Sequence, residues 1–117
     1  MSELARIETQ DRGVLFLVQI IGEIDLSNAR EVMYAVLAQV PHEASLVVVD
    51  LSDITYLDSA GVAMIFRLAE RVRFARQQLR LVVPADAPIR VVVDQTNMSR
   101  VIPIEDTIDA QDTDTTP

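Results

Sequence analysis

The apolar positions of this chain keep two rhythms, one of period two or of short continuous runs and one of helical spacing, and they divide it into alternating elements. Leu4 to Thr9 and Val14 to Ile21 are short apolar-rich runs separated by Gln10, Asp11, Arg12 and Gly13. A polar turn ending in glycine between two such runs predicts a β-hairpin with antiparallel strands. From Ser27 to Val40, the residues Ala29, Val32, Met33, Val36, Leu37 and Val40 recur at helical spacing, with Asn28, Arg30, Glu31 and Gln39 on the opposite face. Asp25 or Ser27 is expected to cap this helix and Pro41 to stop it. Leu46 to Asp50 is a continuous β-branched run, the signature of a strand covered on both faces.

A second, longer helix is predicted to begin at Asp58, burying Val62, Ile65, Phe66, Ala69 and Val72 with Leu68 beside them. Arg67, Arg71, Arg73 and Arg76 read as its solvated face, gathered toward the negative end of the helix dipole. Leu79 to Val83 predicts a further strand ending at Pro84, Ala87 to Gln95 a short helix with Pro88 near its first turn, and Val101 to Ile104 a last strand. The order β-β-α-β-α-β-α-β defines a single α/β domain: a mixed, mostly parallel sheet with an N-terminal hairpin and helices packed on it. In such sheets, ligands and partners gather at loops after the carboxyl ends of strands. The segments from Gly22 to Asp25 and from Ser52 to Asp58 are expected to be such loops.

Composition narrows the function. The net charge of −8 argues against a nucleic-acid partner, because phosphate contacts need clustered Lys and Arg. No run is long enough to span a bilayer and no leader-like segment opens the chain, so a cytoplasmic protein without a membrane partner is expected. Cysteine and lysine are both absent, which excludes Cys-based redox, zinc or nucleophile chemistry and any lysine base or Schiff base. The acids are concentrated at the end: residues 105–117 carry five and no base. The domain is accordingly assigned to residues 1–108, and 109–117 are expected to form an acidic, disordered tail.

Catalytic equipment is missing from the pattern. His42 is the sole histidine and sits in a polar turn, and the serine at 59 lacks the glycine two positions earlier that a nucleophile elbow needs. Asp50, Asp53 and Asp58 surround one strand end, but an acidic pair after the first strand and a late lysine, which phospho-aspartate chemistry requires, are absent. No glycine-rich phosphate loop is present. The reading is therefore of a non-enzyme, with no catalytic residue, no metal and no cofactor. Ser59 is the residue that stands out. Following the capping Asp58, it would occupy the first helical turn with its hydroxyl outward, where an added phosphoryl group meets the positive end of the helix.

Two motifs and the element order then coincide. Gly22-Glu23-Ile24-Asp25 with Ala29, Val49-Asp50-Leu51-Ser52 leading into Leu57-Asp58-Ser59-Ala60-Gly61-Val62, Leu81-Val82-Val83, and the stretch from Asp94-Gln95-Thr96-Asn97-Met98 to Val101-Ile102-Pro103-Ile104 together resemble the anti-sigma factor antagonist family of STAS domains, over roughly residues 4–108. The resemblance implies a partner switch. The unmodified protein would bind an anti-sigma factor that is also a serine kinase of the histidine-kinase-like ATPase fold, releasing a sigma factor. Phosphorylation at Ser59 would break the complex, and a serine phosphatase would restore it. Asp25 and the segment Asp58, Ser59, Ala60, Gly61 and Val62 map onto the partner-facing surface. An alternative within the same resemblance is a single-domain STAS scaffold subunit of a stress-sensing or lipid-transport complex. Three positions depart from the family pattern: Ala60, where some relatives have a second hydroxyl residue, Ala63, often glycine, and Asn97, in place of a common glycine. Asparagine suits that last position, since it tolerates left-handed backbone.

Overall fold

A computed structural model describes residues 4–108 of the chain. The expected tail, 109–117, lies outside the described residues. The elements run β1 (Ala5–Arg12), β2 (Leu15–Ile24), α1 (Ala29–Gln39), β3 (Leu46–Asp50), β4 (Ile54–Leu57), α2 (Ser59–Phe74), β5 (Gln78–Val82), α3 (Arg90–Gln95), a 3-10 turn at Met98–Arg100 and β6 (Ile104–Glu105). β1 and β2 pair antiparallel as the hairpin, and every other strand pair is parallel. The sheet order is β1-β2-β3-β5-β6, with β4 also on β2. The α/β class, the hairpin and the mostly parallel sheet are as the sequence predicts.

Four local differences have physical causes. The hairpin is tighter than expected, because Gln10, Asp11 and Arg12 continue the strand and the turn is made by Gly13, at φ +77°, and Val14. α3 starts at Arg90 rather than Ala87, since the chain spends residues 84–90 on successive turns in which Ala87 donates to the Pro84 carbonyl and Arg90 to that of Ala87. The last strand shrinks to Ile104–Glu105, the preceding apolar residues being used by the 3-10 turn that buries Met98 and Ile102. The expected loop from Ser52 to Asp58 contains β4. β2 is ten residues long, and β3, paired with β5 on its other side, covers only the first half of β2 before it ends at Asp50, whose carboxylate accepts hydrogen bonds from the Ser52 amide and hydroxyl. The vacated half of the β2 edge is taken by β4, with Gly22 opposite Ile54 and Ile24 opposite Leu57 across a bulge. That pairing brings the two strand ends together.

One face of the sheet is covered by α1, α2 and α3, which bury Val32, Met33, Val36, Met64, Ile65, Leu68, Val72 and Val93 against Val18, Ile20, Val47, Val49 and Leu81. Val62 and Phe66, expected in the buried stripe of α2, pack on this core while remaining partly exposed. α2 ends in a Schellman motif: Gln77 donates to the Val72 carbonyl and Arg76 to that of Arg73. Arg76 itself sits in the left-handed region at φ 64°, where Cβ is unfavourable, and is exposed. Replacing Arg76 with glycine is therefore expected to raise stability by about 0.5–1 kcal/mol, measurable as a shifted urea midpoint at unchanged m-value. A midpoint shifted downward would contradict it. Asn97 occupies the same region at φ 56° and ψ 32°, which is why asparagine serves there.

Candidate functional site

The ends of β2 and β4 lie side by side, so Asp25 follows one and Asp58 the other. Asp58 has extended backbone and caps α2. Its Oδ1 accepts from the Gly61 amide at 3.0 Å, and its carbonyl accepts from Val62 at 3.0 Å. Its other oxygen, Oδ2, accepts from the Leu26 amide at 3.1 Å. One carboxylate therefore fastens the first turn of α2 to the loop after β2. Removing it in Asp58→Ala leaves two amides without a protein acceptor, and a loss of about 1–2 kcal/mol in stability is expected from urea titration. A loss below a few tenths would show that water replaces both bonds.

The β2–α1 loop is built around two side chains. Asp25 accepts from the Ser27 amide at 2.8 Å and from the Ser27 hydroxyl, while its carbonyl accepts from the amides of Asn28 and Ala29. The Ser27 hydroxyl and amide hold the Asp25 carboxyl below its ordinary range, so it stays ionised. Asn28 is almost completely buried, at 1 % exposure. This corrects the expectation that it lies on the polar face of α1. Its Oδ1 accepts from the Asp25 amide at 2.8 Å and its Nδ2 donates to the Glu23 carbonyl at 2.9 Å, so its whole amide is spent on fixing the loop. The N-cap position of α1 is Asn28 rather than the expected Asp25 or Ser27, and no side chain caps the helix, because the Asp25 carbonyl accepts from the amides of Asn28 and Ala29.

Ser59 is the first residue of α2 and is exposed; Ala60 and Val62 flank it half-buried, and Gly61 is buried beneath. A Cβ at Gly61 would lie 3.1 Å from the Ile24 carbonyl oxygen and 2.4 Å from the Leu57 side chain, so glycine permits α2 to start directly against β2. Ser59 thus opens α2 directly after the capping Asp58, whose carboxylate is also bonded to the loop that Asp25 begins. An added phosphate would gain from the helix dipole and lose from Asp58. All six positions expected at the partner-facing surface, Asp25, Asp58, Ser59, Ala60, Gly61 and Val62, belong to this one corner of the fold.

The corner opens onto a groove that the sequence did not single out. It has a volume of about 360 Å³, runs between α1 and α2, and is lined by Leu26, Ala29, Met33, Ala60, Ala63 and Met64, with Arg30 and Arg67 at its rims. Leu26 is 83 % exposed although its backbone is pinned to Asp58. Farther along the seam, the Arg71 guanidinium lies 5.9 Å from the centre of the Tyr34 ring. Arg67 and Arg71 thus remain on the solvated face of α2, as the pattern predicts, but they also edge an apolar surface. Among the described residues no group of three or more His, Cys, Asp or Glu side chains converges as a metal site, and no helix is long and apolar enough to cross a membrane.

Comparison with known proteins defines the class. The STAS domain family model matches residues 6–111, and the chain belongs to that family. Its fold is that of the anti-sigma factor antagonists. A crystal structure of an anti-sigma factor antagonist from Mycobacterium paratuberculosis superposes with a TM-score of 0.80 at 24 % identity, over 93 % of this chain and 92 % of that one. The anti-sigma factor antagonist SpoIIAA in its unphosphorylated form gives 0.69 at 12 % identity, over 92 % and 95 % of the two chains. The Bacillus cell fate determinant SpoIIAA in its phosphorylated form gives 0.65 at 12 % identity, over 92 % and 98 %. A search of curated protein sequences finds no significant match.

Proposed function

We propose that this protein is an anti-sigma factor antagonist that works without catalysis, in the cytoplasm, by binding an anti-sigma factor when Ser59 is unmodified and releasing it when Ser59 is phosphorylated. The observation that carries the reading is the position of Ser59: an exposed hydroxyl opening a helix whose cap, Asp58, also holds the loop after β2. The partner in this reading is a serine kinase of the histidine-kinase-like ATPase fold, and a separate serine phosphatase resets the switch. Asp25, Asp58, Ala60 and Val62 supply the surface around the hydroxyl, and Gly61, buried beneath them, lets the helix start close against β2.

The physical logic requires no refolding. A phosphate adds about 1.5–2 negative charges to the surface, which already carries Asp25 and Asp58. The free protein tolerates that charge at a helix start. A docked interface does not, since the anion would have to be desolvated against a partner whose surface suits the uncharged serine. The decisive experiment is incubation with the cognate kinase and ATP. Ser59→Ala is expected to take up no phosphate and to keep its complex with the anti-sigma factor under conditions that dissolve the wild-type complex. Labelling of Ser59→Ala to the wild-type level would remove Ser59 from the role.

A further inference from the structure

Leu26 is held in place by its backbone and left open at its side chain. Its amide donates to Asp58 Oδ2, and the buried Asn28 ties down the Glu23 carbonyl and the Asp25 amide just before it. The side chain nevertheless keeps 83 % of its surface in water. A single exposed leucine is ordinary, but this one lines the mouth of the groove between α1 and α2. The floor of that groove is Ala29, Met33, Ala60, Ala63 and Met64. A fixed apolar knob beside an apolar channel loses little conformational freedom when a partner covers it.

The charge along the seam has the opposite sign to that of the chain. The protein carries −8 overall, yet Arg30 and Arg67 stand at the groove rims, both exposed, and among the described residues neither guanidinium makes a hydrogen bond or an ion pair. Arg71, a turn beyond Arg67, is exposed as well and lies over the Tyr34 ring. Phe74 follows three residues later at 90 % exposure. At helical spacing, positions 60, 63, 67, 71 and 74 fall in one stripe of α2, which runs about 21 Å, or four turns. Glu70 borders that stripe on the edge away from α1.

We infer that the seam between α1 and α2 is the docking surface for an acidic amphipathic helix of the protein that binds the Ser59 corner. The apolar face of that helix lies on the alanine and methionine floor and against Leu26, while its flanking carboxylates meet Arg30, Arg67 and Arg71. Ala60 and Ala63 are small enough to let a helix axis come close. The inference rests on the partner-switch reading and names the element of the partner that is recognised. Other occupants match the seam less well. A two-fold dimer through it would set its arginines against the same arginines of the second copy, and a nucleic-acid backbone would use the guanidiniums but leave the apolar floor uncovered. The end of the docked helix over Ala60 lies one residue from Ser59, so a phosphate there repels the carboxylates that the arginines attract.

The test uses the full, unphosphorylated chain and the purified anti-sigma kinase. Arg30→Glu combined with Arg67→Glu is expected to weaken the complex at least about thirtyfold, whereas Arg73→Glu, outside the stripe, should change it less than about threefold. Ala63→Leu fills the groove without adding charge at an exposed helical position that accepts leucine, and should weaken binding at least about tenfold. Circular dichroism should show each free variant folded. A benzophenone on Glu70→Cys, specific because the chain contains no cysteine, should cross-link the kinase within an acidic helical segment. A kinase that labels Ser59 yet binds all the variants alike would overturn the seam and leave the switch standing. Cross-linking to a segment without acidic residues, or to a second copy of this chain, would also overturn it. If the kinase neither labels Ser59 nor binds the chain, the partner-switch reading fails and the seam fails with it.

Discussion

Ser59→Asp is expected to bind the anti-sigma partner at least about thirtyfold more weakly than wild type, about 2 kcal/mol, while its fold becomes slightly more stable. The two signs are opposite because the same charge meets two environments. In the free protein it sits at the exposed start of α2, where an anion contributes about 0.3–1 kcal/mol, less whatever repulsion Asp58 imposes. In the complex it must shed water beside Asp58 and Asp25, with no new cation brought by the mutation. Ser59→Asn separates charge from bulk. It is nearly isosteric with aspartate and neutral, so it should keep affinity within about threefold if electrostatics dominate. Isothermal titration against the purified partner, with thermal melts of the free variants, reads both quantities. Equal loss in the asparagine and aspartate variants would replace the charge account with a steric one. A phosphorylated serine carries more charge on a longer arm than aspartate, so under the proposed switch phosphorylation of Ser59 should weaken binding more than the aspartate does.

What could be read from the sequence follows the range of the forces involved. Asp58 was legible as a cap because capping is settled within three residues, and the bond to Gly61 is that bond. α2 was legible because Ile65, Ala69 and Val72 repeat at helical spacing against a single core. The short strand β4 was not. Ile54 and Leu57 alone face inward, and four residues carry too little periodicity to distinguish a strand from a loop. Its existence depends on an edge of β2 left empty by β3, a non-local fact. Asn28 was misplaced for the same reason: its polarity fits the outer face of a helix, yet its carbonyl and amide serve Asp25 and Glu23 across the loop. An asparagine three residues after the aspartate that closes a strand was the available signal. The groove beside Leu26 needed both helices in place before Ala60 and Ala63 could become a floor rather than two small residues.

Gly22 shows how one such long-range requirement holds the site together, and Gly22→Ala is the substitution with the largest expected effect on stability. Gly22 has φ +119°, a conformation that residues with a Cβ rarely adopt, and an added Cβ would stand 2.1 Å from the Leu4 carbonyl oxygen and 3.0 Å from the Ala5 Cα. Both obstacles are backbone, so no rotamer change relieves them. The strained backbone alone costs about 1–3 kcal/mol. Moving Leu4 away also threatens the bond from the Glu23 amide to its carbonyl, 2.9 Å, and the pairing of Ala5 with Gly22 that seats the start of β1. Together these place the loss at roughly 3–5 kcal/mol, a large share of the 5–15 kcal/mol that holds a typical domain folded. The damage should also travel. Gly22 donates to the Asp53 carbonyl at 3.1 Å just before β4, and β4 delivers Asp58 to the Ser59 corner, so a shifted β2 end loosens the cap and the Ser59 turn together. Urea titration should show the lower stability, and amide exchange should show faster opening at Glu23 and Gly61 than at Val48 in the sheet centre. A variant within about 1 kcal/mol of wild type would mean that β1 peels away from Gly22 at little cost, and the bulge between Gly22 and Glu23 would then be a convenience of the fold rather than its fixed point.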